Sequence, residues 1–532
     1  MPKNAIVMMF DSLQFNYLGC YGNDWIKTPN MDRLAREGVL FENCYTEGLP
    51  TVPCRRAMHT GRYTLPKAGW VALSSEDTTI ADLCWGRPIE TALIVDCPNY
   101  RLPKFGYTRA FDKVWYIRGH EADNFYEDDP LIHLKVEDFV EKECGDAYEK
   151  KMGPLARRGC EVELEKFLRQ RQYWRSKEDH FVARTVTTAI KFLSTFDRNK
   201  SFFMWVDSFD PHEPWYPPSI TEKRPCPYDP DFKGNPQPYP YEGLVEGVFT
   251  EEQLHHIRML YAETVTLCDE YLGLLLEEIR RLGLEENTLF LMVSDHGEPL
   301  GNGEHGHGMI QKVRPWPYEE LAHTPMILRA PGIQGGQRIK AFVQSVDVAP
   351  TVCDWLGIGV HPHMQGKSLL PLARGEVSKV RDFAIAGYYP YSWAIFTEDW
   401  SYVHWNQPEG KNDERMVAEV YCNNIDDSHL RAAGGKGYME EWVEGFNASM
   451  AYTSGSEPPR KGEKKDEVIM ALDGAAQWTC TPNSVAEVPE EDELYDRRND
   501  PFQLHNVIAE HPDVAQNMLK TLILYMEELR AS

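Results

Sequence analysis

The sequence lacks several features that would place the chain in a class at once. No apolar run reaches the roughly 18 residues needed to cross a membrane. The 12 cysteines include no Cys-x-x-Cys pair, and no secretory signal precedes the first apolar run. We therefore expect reduced thiols and a cytoplasmic protein.

Basic residues are also scarce, because 56 Lys and Arg stand against 82 Asp and Glu, a formal charge of −26. This acidity argues against nucleic acid or a membrane surface as the partner. It leaves room for a small anionic substrate, since a metal or a few cations can set the field inside one cleft. The sequence leaves open whether the chain forms a homo-oligomer.

Apolar runs alternate with helical patterns over the first two-thirds of the chain. Thr28 is expected to cap a helix that Pro29 begins, and longer helices are expected over Lys177–Phe196 and Glu251–Leu282. Strands are predicted at Ala5–Phe10, Thr91–Val95, Phe202–Val206 and Leu289–Val293. This alternation predicts an α/β fold with a large, mostly parallel sheet flanked by helices.

The sequence pattern changes after about residue 375. Short aromatic strands are predicted at Phe383–Tyr388, Ser392–Phe396 and Trp400–Trp405, and a last helix at Pro512–Leu529. We therefore predict two domains, residues 1–375 and a smaller α+β domain at residues 376–532.

Candidate metal ligands follow three of the predicted strands. Asp11 ends one, Asp207 another, and Asp295 with His296 a third. One Asp at a strand end more often caps a helix, but three together at the carboxyl edge of a sheet indicate a ligand site. Carboxylate and imidazole ligands suit Zn²⁺, Mn²⁺ or Ca²⁺.

A second candidate is the hydroxyl of Thr51, which precedes a short helical run. A helix N-terminus offers free N–H groups and a positive dipole end, which suit an anionic group in transfer. A metal beside the hydroxyl would make it a nucleophile. The alternative is that Thr51 only caps the helix.

Several segments resemble the sulfatase family of the alkaline phosphatase superfamily, in the family's order and over nearly the whole chain. They are 18–22 (LGCYG), 27–35 (KTPNMDRLA), 60–62 (TGR), 294–298 (SDHGE), 346–351 (VDVAPT) and 493–501 (ELYDRRNDP). The resemblance implies an alkaline phosphatase-like catalytic domain, a C-terminal domain with an antiparallel sheet, and one divalent ion. It implies Asp11, Asp295 and His296 as the metal ligands, and it leaves a second metal open.

The departures from the family pattern bear on the chemistry. Counting back from residues 60–62 puts Thr51 in the place of the family's nucleophile and Arg55 in the place of its Arg. Sulfatases oxidise a Cys or Ser there to formylglycine, and Thr is not a known substrate for that conversion. Cys54 is out of register for this role. Ser12 stands where many sulfatases have a second metal-binding Asp.

The predicted substrate-binding residues also depart from the pattern. Asp96 lies in the segment where sulfatases place a sulfate-binding Lys and His. Arg314 falls where the family has a Lys, and Lys312 lies two residues away. Relative to the family, this segment lacks a Lys and has Asp96, so it carries less positive charge. That charge suits a monoanionic ester better than a dianionic one. His212 falls where the family has a His near the leaving group, which predicts a general acid.

A threonine nucleophile resembles the phosphodiesterase branch of the superfamily. The sequence therefore predicts a metal-dependent hydrolase of phosphodiesters or phosphonate monoesters that acts through a Thr51 intermediate. One alternative is a sulfatase that does not use formylglycine, and another is an inactive member that binds an anion. The roles of His305, His307 and the segment 118–121 are left open.

Overall fold

The computed structural model describes residues 2–69, 72–101, 105–120, 130–301, 306–312, 315–389, 391–406 and 489–531. Its strands are β1 (Asn4–Phe10), β2 (Val39–Tyr45), β3 (Ile89–Val95), β4 (Lys113–Tyr116), β5 (Ser201–Ser208), β6 (Gly243–Leu244), β7 (Thr288–Ser294), β8 (Leu300–Gly301), β9 (Met309–Ile310), β10 (Met326–Arg329), β11 (Gln337–Gln344), β12 (Ala384–Tyr388), β13 (Ser392–Phe396), β14 (Trp400–Trp405) and β15 (Glu493–Asp496).

The helices alternate with these strands over the first part of the chain. They are α1 (Pro29–Glu37), α2 (Thr51–Thr60), α3 (Ile80–Cys84), α4 (Pro98–Arg101), α5 (Lys142–Met152), α6 (Pro154–Arg171), α7 (Phe181–Thr195), α8 (Pro218–Thr221), α9 (Glu251–Arg281), α10 (Glu319–Ala322), α11 (Val348–Leu356), α12 (Leu370–Ala373) and α13 (Pro512–Ala531). No helix among the described residues is both long and apolar enough to cross a bilayer.

The central sheet has eight strands in the order β11-β2-β10-β7-β1-β5-β3-β4. Neighbouring strands run parallel, except that β10 is antiparallel to both β2 and β7. This arrangement confirms the predicted α/β class and the mostly parallel sheet. A small sheet of three two-residue strands, β6-β9-β8, lies outside it.

Strand β1 is buried along its whole length because helices cover both faces of the sheet. Its alternate side chains enter two separate cores. The first core also contains side chains of α1, α7 and α9, and it receives Ile6, Met8 and Phe10. The second contains side chains of α3 and α11, and it receives Ala5, Val7 and Met9. Phe10 pairs with Ser294 on one side and Ser208 on the other, so these three strands end at the same edge.

A second, antiparallel sheet has the order β12-β13-β14-β15. Helix α13 covers one of its faces. The other face packs against side chains of the first domain, among them Tyr45 and Phe342. The predicted strands and the last helix are confirmed to within two residues, and the domain boundary near residue 375, between α12 and β12, stays a prediction.

One helix start and one helix cap differ from the sequence-based expectation. Helix α7 begins at Phe181, because Lys177–Asp179 forms a separate 3-10 turn. Thr28 precedes α1 but makes no capping hydrogen bond through its side chain. Instead Asp269 of α9 accepts hydrogen bonds from the backbone N–H groups of Asn30 and Met31, at 3.0 and 2.7 Å. The cap therefore comes from a residue distant in sequence.

The two sheets are joined through a buried ion pair. Arg381, just ahead of β12, donates two hydrogen bonds to Asp347, at 2.5 and 2.6 Å. Asp347 also accepts the backbone N–H groups of Gln344 and Lys367. Its side chain is 0% exposed and that of Arg381 10%, so the carboxylate depends on the arginine for its balancing charge.

We expect Arg381→Gln to lower the free energy of unfolding by about 3–5 kcal/mol, because it leaves Asp347 buried without its cation. Urea unfolding followed by tryptophan fluorescence measures the change. The control is Lys379→Gln, which removes an exposed ion pair with Asp382 and should change stability little. Equal unfolding midpoints for the two variants would contradict the prediction.

Candidate active site

Three neighbouring strands bring three aspartates together at one edge of the central sheet. Asp11 follows β1, Asp295 follows β7, and Asp207 lies near the end of β5. Because β1 pairs in parallel with both β5 and β7, the carboxyl ends of the three strands meet. All three carboxylates are 0% exposed.

Two of these aspartates form a candidate metal site with His296. Single ligand atoms of Asp11, Asp295 and His296 all lie within 4.8 Å of one another. Nε2 of His296 is 3.9 Å from the Asp11 carboxylate and 3.5 Å from that of Asp295. His296 is fully buried, and its Nδ1–H donates to the carbonyl of Gly297 at 2.8 Å. This bond makes Nε2 the nitrogen that would bind a metal, in place of the Thr51 hydroxyl that it contacts in this structure. Burial lowers the pKa of His296 to about 4, so the ring is neutral at pH 7, as a metal ligand must be.

The charges of the site fit a divalent ion. The three buried carboxylates share one buried guanidinium, that of Arg55, which leaves two formal negative charges unbalanced. Loss of hydration on burial raises the pKa of both Asp207 and Asp295, although the charge of Arg55 acts to lower both values. One divalent cation would balance the site, and carboxylate oxygens with one imidazole nitrogen suit Mn²⁺, Zn²⁺ or Ca²⁺.

Arg55 holds this cluster together. Its guanidinium donates to Asp11 at 2.9 Å, to Asp295 at 2.5 Å and twice to Asp207, at 2.8 and 3.1 Å. It also donates to the backbone carbonyl of Thr51 at 3.3 Å. Asp207 was identified from the sequence only as a strand-end acid. In the structure Asp207 positions Arg55, because the two hydrogen bonds between them fix the orientation of the guanidinium.

Thr51 lies where the sequence register predicts it. It is the first residue of α2, it is 3% exposed, and its Oγ1 lies 3.2 Å from Nε2 of His296. Since His296 donates through Nδ1, Nε2 is the acceptor and the threonine hydroxyl is the donor. The residue that offers an imidazole nitrogen to a metal is thus also the residue that contacts the Thr51 hydroxyl.

The nearby thiol of Cys54 makes hydrogen bonds outside the metal-ligand cluster. Its Sγ donates to the carbonyl of Gly48 at 2.8 Å and accepts from the Thr46 hydroxyl at 3.0 Å. Burial raises the pKa of this thiol well above its usual range. These contacts agree with the sequence-based exclusion of Cys54 as the nucleophile. The ten cysteines that the structure describes are all free thiols.

His212 is buried beside the ring of Phe209, with the ring centres 4.0 Å apart. Its Nδ1–H donates to the carbonyl of Glu213 at 2.7 Å, which leaves Nε2 as the nitrogen available to a substrate. Burial, with the charge of Lys312 added, lowers the pKa of His212 well below its usual range. His212 is therefore neutral in the free protein, and acting as a general acid would require it first to take up a proton.

Lys312 is 8% exposed and lies between two glutamates. Its Nζ is 3.0 Å from Glu298 and 3.1 Å from Glu213. Burial acts to lower the pKa of Lys312, but the two carboxylates outweigh it and raise that pKa. Sequence reasoning identified Lys312 but missed both glutamates, which adjoin His212 and the metal-ligand segment in the chain.

Asp96, predicted to bind substrate, contacts other parts of the chain in this structure. Its carboxylate accepts the backbone N–H of Phe209 at 2.5 Å and the hydroxyl of Thr185 at 3.1 Å. These bonds anchor the loop that carries His212, and they give no support to a contact with substrate. Ser12, in place of a second metal-binding Asp, donates its hydroxyl to Asp11 at 2.9 Å.

The remaining candidates divide into described and undescribed residues. His307 lies 2.9 Å from Glu320 and 3.1 Å from the carbonyl of Gln503, which indicates a structural role between the two domains. His120 is buried against Phe181, with the ring centres 4.2 Å apart. Arg314, His305 and Glu121 lie outside the described residues.

Comparisons with known proteins show what this chain is similar to. The Sulfatase family model matches residues 3–358. The N-acetylglucosamine-6-O-sulfatase of Bacteroides thetaiotaomicron is 24% identical over 79% of this chain and 82% of its own length. An arylsulfatase of Clostridium perfringens is 27% identical over 72% of this chain and 81% of its own length.

Solved structures show the same fold. The phosphonate monoester hydrolase of Agrobacterium radiobacter superimposes with a TM-score of 0.63 at 19% identity, covering 99% of this chain and 95% of its own. At that identity the likeness concerns the fold. It confirms the alkaline phosphatase-like architecture that the sequence motifs implied.

We expect the purified protein to bind about one divalent ion per chain. Asp295→Asn should weaken this binding at least about ten-fold, because it removes a charged ligand. Elemental analysis after dialysis and a Mn²⁺ titration measure the effect. The control is Asp229→Asn, which alters a carboxylate paired with His256 outside the site. Unchanged metal binding in Asp295→Asn would disprove the assignment.

Proposed function

Because the chain belongs to the sulfatase family, an ester hydrolase family of the alkaline phosphatase superfamily, we propose that it hydrolyses phosphodiesters or phosphonate monoesters through Thr51. The observation that carries the proposal is the contact between the Thr51 hydroxyl and His296, within a buried cluster suited to a divalent ion. A protein with the same fold is described as a phosphonate monoester hydrolase, so the fold is compatible with this reaction.

The identity of the nucleophile favours phosphorus over sulfur. A formylglycine hydrate sheds sulfate by breaking a C–O bond and leaving an aldehyde. Thr51 has a single hydroxyl, so its ester must be cleaved by water at phosphorus or sulfur. In our proposal the Thr51 oxygen loses its proton and bonds to phosphorus as the bond from phosphorus to the alcohol breaks, and the alcohol leaves with a proton. Water then attacks phosphorus, and the bond to Thr51 breaks as Thr51 regains a proton.

The bound metal would lower the pKa of the Thr51 hydroxyl and stabilise negative charge on the ester. Arg55 keeps Thr51 in place through the backbone carbonyl of that residue. Neutral His212, with Nε2 free, suits the second step, in which water attacks and must lose a proton. In the first step the same ring, once protonated, would act as the predicted general acid for the leaving alcohol.

The second candidate is a sulfatase that works without formylglycine. It is favoured by the curated relatives, which are described as sulfatases. Thr51 would then carry sulfate in place of a phosphoryl group, with the same residues around it. An inactive anion-binding member is the third candidate.

The other parts of the proposal concern surroundings and partners. We propose a small anionic ester as substrate and a cytoplasmic location, with neither nucleic acid nor membrane as a partner. The strongly acidic composition supports the exclusion of polyanionic partners. Lys312 lies two residues from the position of the family's substrate-binding Lys, and we propose that it takes that role. Whether the chain forms a homo-oligomer is left open.

We expect Thr51→Ala to lower kcat at least about 1000-fold while leaving folding and metal content unchanged, because it removes only the attacking oxygen. Thr51→Ser should keep part of the activity, since the hydroxyl remains. The matched control is Thr60→Ala at the other end of α2, where the hydroxyl donates to the Arg56 carbonyl. Near wild-type turnover in Thr51→Ala would make metal-bound water the better candidate for the nucleophile.

The substrate class is tested by a hydrolysis screen with Mn²⁺, Zn²⁺ and Ca²⁺. The substrates are an aryl sulfate, a phosphate monoester, a phosphodiester and a phosphonate monoester with the same phenol. We expect the last two to react fastest. Preferential hydrolysis of the sulfate would favour the second candidate, and no turnover by metal-loaded protein would favour the third.

A further inference from the structure

The two glutamates around Lys312 belong to the loops that carry the site. Glu213 directly follows His212 in the chain, and Glu298 lies two residues beyond His296. Both carboxylates reach the same ammonium, at 3.1 and 3.0 Å. Glu213, Glu298 and Lys312 are 5%, 0% and 8% exposed, so solvent screens their charges little.

The charge of Lys312 is cancelled within this group. One ammonium between two carboxylates leaves one formal negative charge. A lysine in a substrate pocket normally attracts additional negative charge. Lys312 lies close enough to His212 to lower the pKa of that ring, but taken together with its two carboxylates it adds no net positive charge to the site.

We propose that Glu213 and Glu298 set the charge selectivity of the site, so that monoanionic esters are accepted and dianionic phosphate monoesters are disfavoured. This inference rests on the proposed function. It replaces the sequence-based explanation of the same preference, because the carboxylate of Asp96 is engaged by Phe209 and Thr185. The competing explanation is that the glutamates only hold two loops together.

The test uses Glu213→Gln, which keeps the shape of the side chain and its backbone bond to His212 while removing one negative charge. The substrates are phenyl phosphate, dianionic at a pH of about 8.5 since its second pKa is about 6, and monoanionic phenyl methylphosphonate. The ratio of kcat/KM for the dianion to that for the monoanion should rise about ten-fold. A merely structural role would lower both values and leave their ratio unchanged.

The matched control is Glu263→Gln, which alters another buried glutamate, bonded to Ser219 and Arg224. It should leave the ratio unchanged. If Glu213→Gln does not fold, Glu298→Gln removes a carboxylate from the same ammonium and should shift the ratio in the same direction. A ratio unchanged within about two-fold in a folded, active variant would overturn the inference.

A binding measurement separates this inference from the proposed function. Calorimetry on Mn²⁺-loaded protein compares inorganic phosphate, a dianion at this pH, with dimethyl phosphate, a monoanion. Glu213→Gln should bind phosphate about ten-fold more tightly and dimethyl phosphate unchanged, whether or not any ester is hydrolysed. Equal changes for both ligands would overturn the inference, while loss of all turnover with this pattern intact would count against the proposed function alone.

Discussion

The contact of one guanidinium with three buried carboxylates organises this molecule. Buried charges cost several kcal/mol each unless they are paired with good geometry. Here the partners come from the ends of β1, β5 and β7 and from helix α2. None of these elements can shift without exposing a charge to an apolar core. The same contacts place Thr51 against His296, so the stability of the sheet edge and the geometry of the nucleophile have one origin.

Much of the fold was predictable from the sequence, because buried parallel strands appear as continuous apolar runs. Ala5–Phe10 and Leu289–Val293 are confirmed to within one residue at each end. The antiparallel strand β10 was not predicted, since a four-residue run carries no mark of its direction. Thr28 stands at the N-cap position of α1 as predicted, but its side chain makes no capping bond. The backbone N–H of Asn30 bonds instead to Asp269, 239 residues away, and sequence spacing does not indicate such a contact.

The candidate site was predictable where residues follow strands or stand in a motif. Asp11, Asp295 and His296 are strand-end residues, and Thr51 and Arg55 come from the register of one segment. Side chains that act through long-range pairing gave no such signal. Glu213 and Glu298 acquire a task only when the fold brings Lys312 between them. Asp96 was predicted to contact substrate from its position in the motif, and its hydrogen bonds to Thr185 and Phe209 could not be predicted in the same way.

The group formed by Lys312, Glu213 and Glu298 also bears on product release. Hydrolysis of a monoanionic ester creates a new acidic hydroxyl on phosphorus, so the product carries more negative charge than the substrate did. Carboxylates that cancel the nearby ammonium would hold that product weakly. Tight binding of a product delays the next turnover, and product release limits the rate of many enzymes. The position of Lys312 between two glutamates would thus lower the affinity for the dianionic product and speed its release.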